Sequence, residues 1–255
     1  MQTRSVTIQR NGLDTTDLVV VEEPLEIRVG DKAVSVTLRT PGADFDLAAG
    51  FLFTESILRS REEIESIRHW GSPNVVRVAL SAGAAVDMQR LQRHFYATSS
   101  CGVCGRASID ALRVAAEPIE YDIRVSLALL QSLPDVLRSQ QAAFDATGAI
   151  HGAAAFTSAG SLLRVREDIG RHNAVDKVTG SLLLDGTGAD ILVVSGRTSF
   201  EIVQKCAVAR IPILAAVGAP SSLAIELAHE FGITLLGFVR DGRANVYAGE
   251  QRLMP

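Results

Sequence analysis

Two of the chain's three cysteines, Cys101 and Cys104, stand two residues apart in "SSCGVCGRASID", each followed by glycine. Three chemistries use such a pair. A structural zinc site generally takes four Cys, His or carboxylate ligands, and here the second half is missing. Cys206 lies inside a helix pattern and none of the five histidines has ligand spacing near it. No metal ligand is therefore assigned, and only a zinc shared between two subunits stays open. Thiol–disulfide exchange is the second chemistry, but its sites commonly set the pair at a helix start, with an aromatic before it and a proline between. Ser99, Ser100, Gly102 and Gly105 surround this pair instead, which predicts a mobile loop. Sulfur carriage is the third: a thiolate takes a sulfane sulfur as a persulfide and delivers it elsewhere, so the cysteine must be exposed, activated and able to travel. A glycine-punctuated loop provides the travel, and Arg106 is near enough in sequence to favour the thiolate. Cys206 reads as a small buried hydrophobe.

A second group of residues suits anions. "REDIGRHNAVDKVTG" places Glu167, Asp168, Arg171, His172, Asn173, Asp176 and Lys177 within eleven residues. Asp168 is a candidate helix cap, and Arg171, His172 and Lys177 then lie near a turn whose backbone N–H groups attract negative charge. A capped, solvated helix face is the plainer alternative. "ILVVSGRTSFE" runs a buried strand through Ser195 and Gly196 into a helix start, with Thr198 and Glu201 in capping-box spacing. Arg197 beside them makes a phosphate-sized anion the natural ligand. "GFVRDGRANVY" sets Arg240 and Arg243 around Asp241 and Gly242, which is hairpin turn chemistry and also two guanidinium groups with a carboxylate for a guanine-like base. His151 either faces the same cleft or is a structural histidine.

These residues need elements to hold them. "VSVTLRT" and "NVVRVAL" read as strands, and "DFDLAAGFLFTESIL" as a helix, so the first half is a mixed α+β unit ending in the cysteine loop. In the second half, "AIHGAAAFT" and "SLLRVRED" read as paired strands joined by "SAG". "RHNAVDKVTGSLLLDG" is a helix ending at glycine. Short apolar strands and helices of about ten residues then alternate to the end. The order β-β-α-β-α-β-α-β-β predicts an α/β sheet covered on both faces, with ligands gathering at the carboxyl ends of its strands. Two domains are expected, 1–120 and 121–255, with the boundary inside 112–145.

At 255 residues and 47% hydrophobic composition the chain can bury a large core. A net charge of -4 gives no global basic field for nucleic acid or an anionic membrane. The sequence contains no apolar run long enough for a membrane helix, and "MQTRSVTIQRNGLD" lacks a signal-peptide core, so a cytoplasmic protein is expected.

Together "CGVCG", "EDIGRHNAVDKVTG", "SGRTSFEIVQK", "APSSLAIELA" and "GFVRDGRANVY" resemble the formate dehydrogenase accessory sulfurtransferases, the FdhD (FdhD/NarQ-like) family. "EEPLEIRV" and "AAGFLFTESIL" look like its opening motifs, so the likeness runs from about Val21 to Tyr247. It implies a cytoplasmic sulfurtransferase that receives sulfur from a cysteine desulfurase. That sulfur passes to the bis(molybdopterin guanine dinucleotide) molybdenum cofactor of formate dehydrogenase. By the matching motif Cys101 carries the persulfide and Cys104 assists or is a second carrier. The cofactor-binding segment matches Phe238, Val239, Arg240, Asp241, Gly242 and Arg243, beside the anion-suited Arg171, His172, Ser195, Gly196 and Arg197. The resemblance also implies a cytidine-deaminase-like three-layer C-terminal domain and a homodimer. Deamination itself is not expected: "HGA" at 151–153 lacks the glutamate of H-x-E, and the C-x-x-C lies upstream without a preceding proline. Two other readings compete with sulfur transfer, namely a cofactor-binding chaperone without sulfur chemistry and a disulfide oxidoreductase.

Overall fold

A computed structural model describes residues 2–84, 116–120 and 123–254. The chain opens on a hairpin, β1 (Thr3–Arg10) and β2 (Leu13–Val20), turned by Asn11 and Gly12, both at positive φ. Asn-Gly between alternating runs is the strongest short hairpin signal. A four-stranded sheet follows in the order β4-β3-β6-β5, built from β3 (Glu23–Val29), β4 (Lys32–Arg39), β5 (Ile64–Trp70) and β6 (Ser72–Leu80). Leu25, Ile27, Val76 and Val78 from this sheet pack with Leu47, Ala48 and Leu52 of α1 (Asp44–Thr54) in one buried cluster.

After β7 (Val125–Ser126), α2 (Leu127–Ser139) and α3 (Ala142–Thr147), the chain builds a six-stranded sheet. Its strands are β8 (His151–Phe156), β9 (Leu162–Asp168), β10 (Ile191–Val194), β11 (Ile213–Ala216), β12 (Thr234–Arg240) and β13 (Arg243–Ala248), in the order β13-β12-β11-β10-β8-β9. β10, β11 and β12 are parallel, while β8, β9 and β13 run antiparallel to their neighbours. Alternation of side chains sorts the two faces. Ala153, Leu192, Leu214 and Leu235 meet α4 (Arg171–Asp185), α5 (Phe200–Val208) and α6 (Ser222–Glu230) on one side. Phe156, Val193, Ile213 and Leu236 meet Leu130, Leu133 and Leu137 of α2 on the other. The element order of the second half is thus the one its periodicity predicts. The inner strands β8, β10 and β11 are short and apolar because both faces are covered. β14 (Leu253–Met254) pairs with β7 and closes the chain. Among the described residues no helix is long and apolar enough to cross a membrane.

The two sheets are joined through α1 and α4, which touch backbone to backbone. A Cβ added at Gly50 would lie 1.8 Å from the Asp176 carbonyl oxygen, and one at Gly180 would lie 1.9 Å from that of Asp46. Both obstacles are main chain, so neither helix can yield without moving whole. Gly180→Ala carries a better helix former, worth about 1 kcal/mol, but the clash outweighs it. We expect Gly180→Ala to lower unfolding stability by roughly 3 kcal/mol in urea titration. Gly188→Ala, where an added Cβ meets nothing within 4 Å, should change it by less than about 0.5 kcal/mol.

Candidate functional site

The site lies where β10 and β11 end. Past the last paired residues the backbone keeps bonding sideways: the N–H of Gly218 donates to the Gly196 carbonyl at 3.1 Å, Thr198 to Ala219 at 3.1 Å and Phe238 to Gly218 at 3.1 Å. Ser195 locks the corner to β8, its N–H donating to the Gly152 carbonyl while its hydroxyl accepts from the Gly152 N–H at 2.9 Å. Gly218 must lack a side chain, since a Cβ there would sit 2.7 Å from the Gly196 oxygen. The loops after β10 and β11 therefore form one continuous edge that reaches β12.

Cationic and polar groups converge on this edge. Around Gly196, the position of an absent Cβ is 3.3 Å from His151 Nδ1 and 3.7 Å from Arg171 Cδ. Arg171 is the first residue of α4 and His151 the first of β8, so two elements bring these side chains to the bare corner. Arg171 Nε is buried there, and Thr198 Oγ1 is buried two residues along the same loop, each without a hydrogen-bond partner among the described residues. Buried donors of this kind are costly to leave unmet and mark places where a ligand or water completes the bonding. His172 Nε2 lies 3.1 Å from Ser199 Oγ and 3.8 Å from the Glu201 carboxylate. Burial, then the charges of Lys205 and Arg171, push His172 down to about 4, against the pull of Glu201 and Glu55. Burial and Arg171 also lower His151, with Asp168 opposing and Arg197 adding. Both imidazoles are neutral at pH 7.

Beside this corner a cleft of about 480 Å³ runs between α2, α3 and the sheet edge. Leu137, Phe144, Ile150 and Ile169 line it, with His151 and Ser195 at the corner. Gln141, 2% exposed, lines it as well and leaves its Nε2 without a partner among the described residues. The carboxylate of Glu167 accepts the N–H groups of Ala143 and Phe144, each at 2.9 Å, and so fixes α3 as the cleft wall.

The sequence-predicted residues divide. Arg171, His172, Ser195, Gly196 and Arg197 meet at the β10 edge. Phe238, Arg240, Asp241, Gly242 and Arg243 lie two strands further along, at the end of β12. Phe238 and Asp241 hold positive φ, Arg240 and Arg243 are exposed, and Arg243 faces Asp241 at 3.6 Å. Val239 is corrected: it is fully buried in the cluster with α2, so its side chain meets no ligand. The capping box is corrected too. Ser199 is the N-cap of α5 without a side-chain bond, the Thr198 hydroxyl has no partner among the described residues, and Glu201 turns toward His172. Asp168 accepts the Gly170 N–H at 2.8 Å but is fully buried against Lys177 at 2.7 Å. Asn173, Asp176 and Lys177 are likewise buried, so that stretch is not a solvated face. Cys101 and Cys104 lie outside the described residues, while burial pushes the Cys206 thiol far above its usual range.

Sequence reasoning missed Lys205. Its ammonium sits 2.9 Å from Asp176 and 3.0 Å from Thr54 Oγ1. Burial opposes that charge, but the Asp176 and Glu55 carboxylates outweigh it and raise the pKa. The signal in the sequence is a lysine within the otherwise apolar inner stripe of "FEIVQKCAV".

Residues 20–254 match the sequence model of the FdhD/NarQ family. The sulfur carrier protein FdhD of Mycolicibacterium paratuberculosis is 50% identical over 250 residues, which are 93% of this chain and 92% of that protein. The one from Streptomyces avermitilis is 48% identical over 266 residues, covering 98% and 94%. A crystal structure from Desulfotalea psychrophila, assigned as a formate dehydrogenase accessory protein, superposes with a TM-score of 0.78. It is 26% identical and covers 99% of this chain and 98% of that one.

The lowered His172 has a consequence for acid stability. Below about 6.5 the unfolded imidazole takes a proton that the folded one accepts only near 4, so stability present above that range is lost as pH falls through it. His172→Asn removes the titration. Urea midpoints should show the wild type losing about 2 kcal/mol more than this variant between pH 7 and 4.5.

Proposed function

The chain belongs to the FdhD/NarQ family, and from that premise we propose that it is a sulfurtransferase that carries sulfur to a molybdenum cofactor. The Cys101 thiolate attacks the outer sulfur of a cysteine desulfurase persulfide. The donor's S–S bond breaks, the donor cysteine leaves as thiolate, and Cys101 holds the persulfide. Attack by Cys104 on the Cys101 sulfur then releases the outer sulfur as sulfide to molybdenum. A disulfide remains, which a cellular dithiol reduces. The acceptor is the bis(molybdopterin guanine dinucleotide) cofactor bound for formate dehydrogenase, held here as cargo.

The observation that carries this reading is the anion-suited edge with Arg171, Arg197 and the unpartnered Arg171 Nε and Thr198 Oγ1. From β10 to β12 that edge spans about 10 Å at ordinary strand spacing, the scale of a dinucleotide diphosphate. It gives phosphates two stations, the Gly196 corner and the Arg240–Arg243 turn. The two-sided cover of the six-stranded sheet supports the cytidine-deaminase-like domain over 121–255, with the smaller α+β domain over 1–120. A cytoplasmic homodimer belongs to the same reading.

Intact mass after incubation with a cysteine desulfurase and cysteine should rise by one sulfur atom, mapped to the Cys101 peptide. Cys101→Ala should reduce formate dehydrogenase activation to background and leave cofactor binding intact. No added sulfur, where the same desulfurase loads another acceptor, would favour a chaperone. Arg240→Glu and Arg243→Glu would then impair activation more than Cys101→Ala.

A further inference from the structure

We propose that the Gly196 corner binds a compact phosphate-class dianion together with one proton taken up by His151. This rests on the anion-binding reading of the sheet edge and adds the group that makes capture proton-linked. The corner is open because residue 196 is glycine. The imidazole and the Arg171 stem stand around that space at 3.3 and 3.7 Å. Arg171 Nε, next to that stem, is buried without a partner among the described residues and is able to donate to an anion's oxygens.

His151 is the imidazole free to respond, since His172 Nε2 is already engaged with Ser199. The charges around His151 come from every side: Arg171 on α4, Arg197 after β10, Asp168 and Glu167 on β9, and Arg138 on α2, itself paired with Asp145 on α3. With burial and the two arginines dominant, the imidazole is neutral in the unliganded protein at pH 7. A dianion against Arg171 reverses that balance, because a negative charge within a few ångströms favours the charged imidazole. The titration midpoint therefore rises on binding, and affinity grows as pH falls from the liganded midpoint to the unliganded one, then levels off. A midpoint raised by one pH unit corresponds to a tenfold gain in affinity across that window.

The test follows the His151 Cε1–H resonance by NMR from about pH 5 to 8. The probe is sulfate, a dianion that does not titrate there, with chloride as the ionic-strength control. His151→Asn assigns the signal. Sulfate should raise the midpoint by about one pH unit, and sulfate should bind about tenfold tighter at the acid end. Arg171→Gln should abolish most of that rise, with Arg197→Gln as the second variant should the first fail to fold. A midpoint that sulfate leaves in place, or moves equally in the folded variants, overturns the assignment. Sulfur loading on Cys101 is read separately, so the failure of one leaves the other standing.

Discussion

Everything in this molecule hangs on the contact of α1 with α4. Two glycines, Gly50 and Gly180, let the helices meet main chain to main chain. At that distance short side chains reach across to the other helix. Thr54 Oγ1 donates to Asp176 of α4 at 2.7 Å, and beside the crossing Asp46 of α1 accepts from Arg166 of β9 at 2.7 Å. With larger residues at the crossing these bonds would open, and Asp176, Lys177 and Lys205 would be left charged in an apolar interior. Desolvating such groups costs several kcal/mol each unless partners are in place. Burial raises the Asp176 carboxyl above its ordinary range, and Lys205 offsets only part of that rise.

Buried ion pairs give little net stability, because their mutual attraction mostly repays desolvation. Their effect here is geometric. Lys177 bonds Asp168 and the Thr40 carbonyl, and Asn173 donates to the Leu38 carbonyl at 2.8 Å. The first two turns of α4 are thereby tied to the end of β4, which fixes the helix along its axis and in rotation. Arg171 and His172 inherit that position. An edge made of loops alone would let such long side chains wander. Here their root is bolted to two sheets.

Period and punctuation reveal most of the elements, because the inner strands β8, β10 and β11 are apolar on both faces and each helix of the second sheet's inner layer ends at a glycine or a turn. The opening hairpin has its signal in Asn11-Gly12, a stretch whose want of an apolar core already argues against a leader segment. The polar run 167–177 misleads for a physical reason. Sequence spacing says which residues share a face, but a polar face looks the same whether water or a second polar surface covers it. Asn173, Asp176 and Lys177 face β4 and α1, contacts with more than a hundred residues between partners. Val239 shows the opposite failure: it sits inside a motif matched as a unit, yet the pleat sends its side chain into the core. Arg171, His172 and the Ser195–Arg197 turn are legible because strand-end chemistry is local.

The edge is suited to anions for a reason that local chemistry alone does not supply. Lys205 brings a third cation close to His172, and its charge is matched inside the protein by Asp176 and Glu55, so it contributes rigidity more than field. Among the described residues Arg171 and Arg197 have no such buried carboxylate paired with them, and Arg171 keeps a buried donor unmet. Two lowered imidazoles add no charge of their own at pH 7. Among the described residues this corner thus concentrates positive charge on a molecule whose net charge is -4. If the edge takes the anion proposed above, this arrangement suits capture followed by release: a guanidinium rooted on a helix tied to two sheets supplies local attraction, while a more basic surface would hold any polyanion it met.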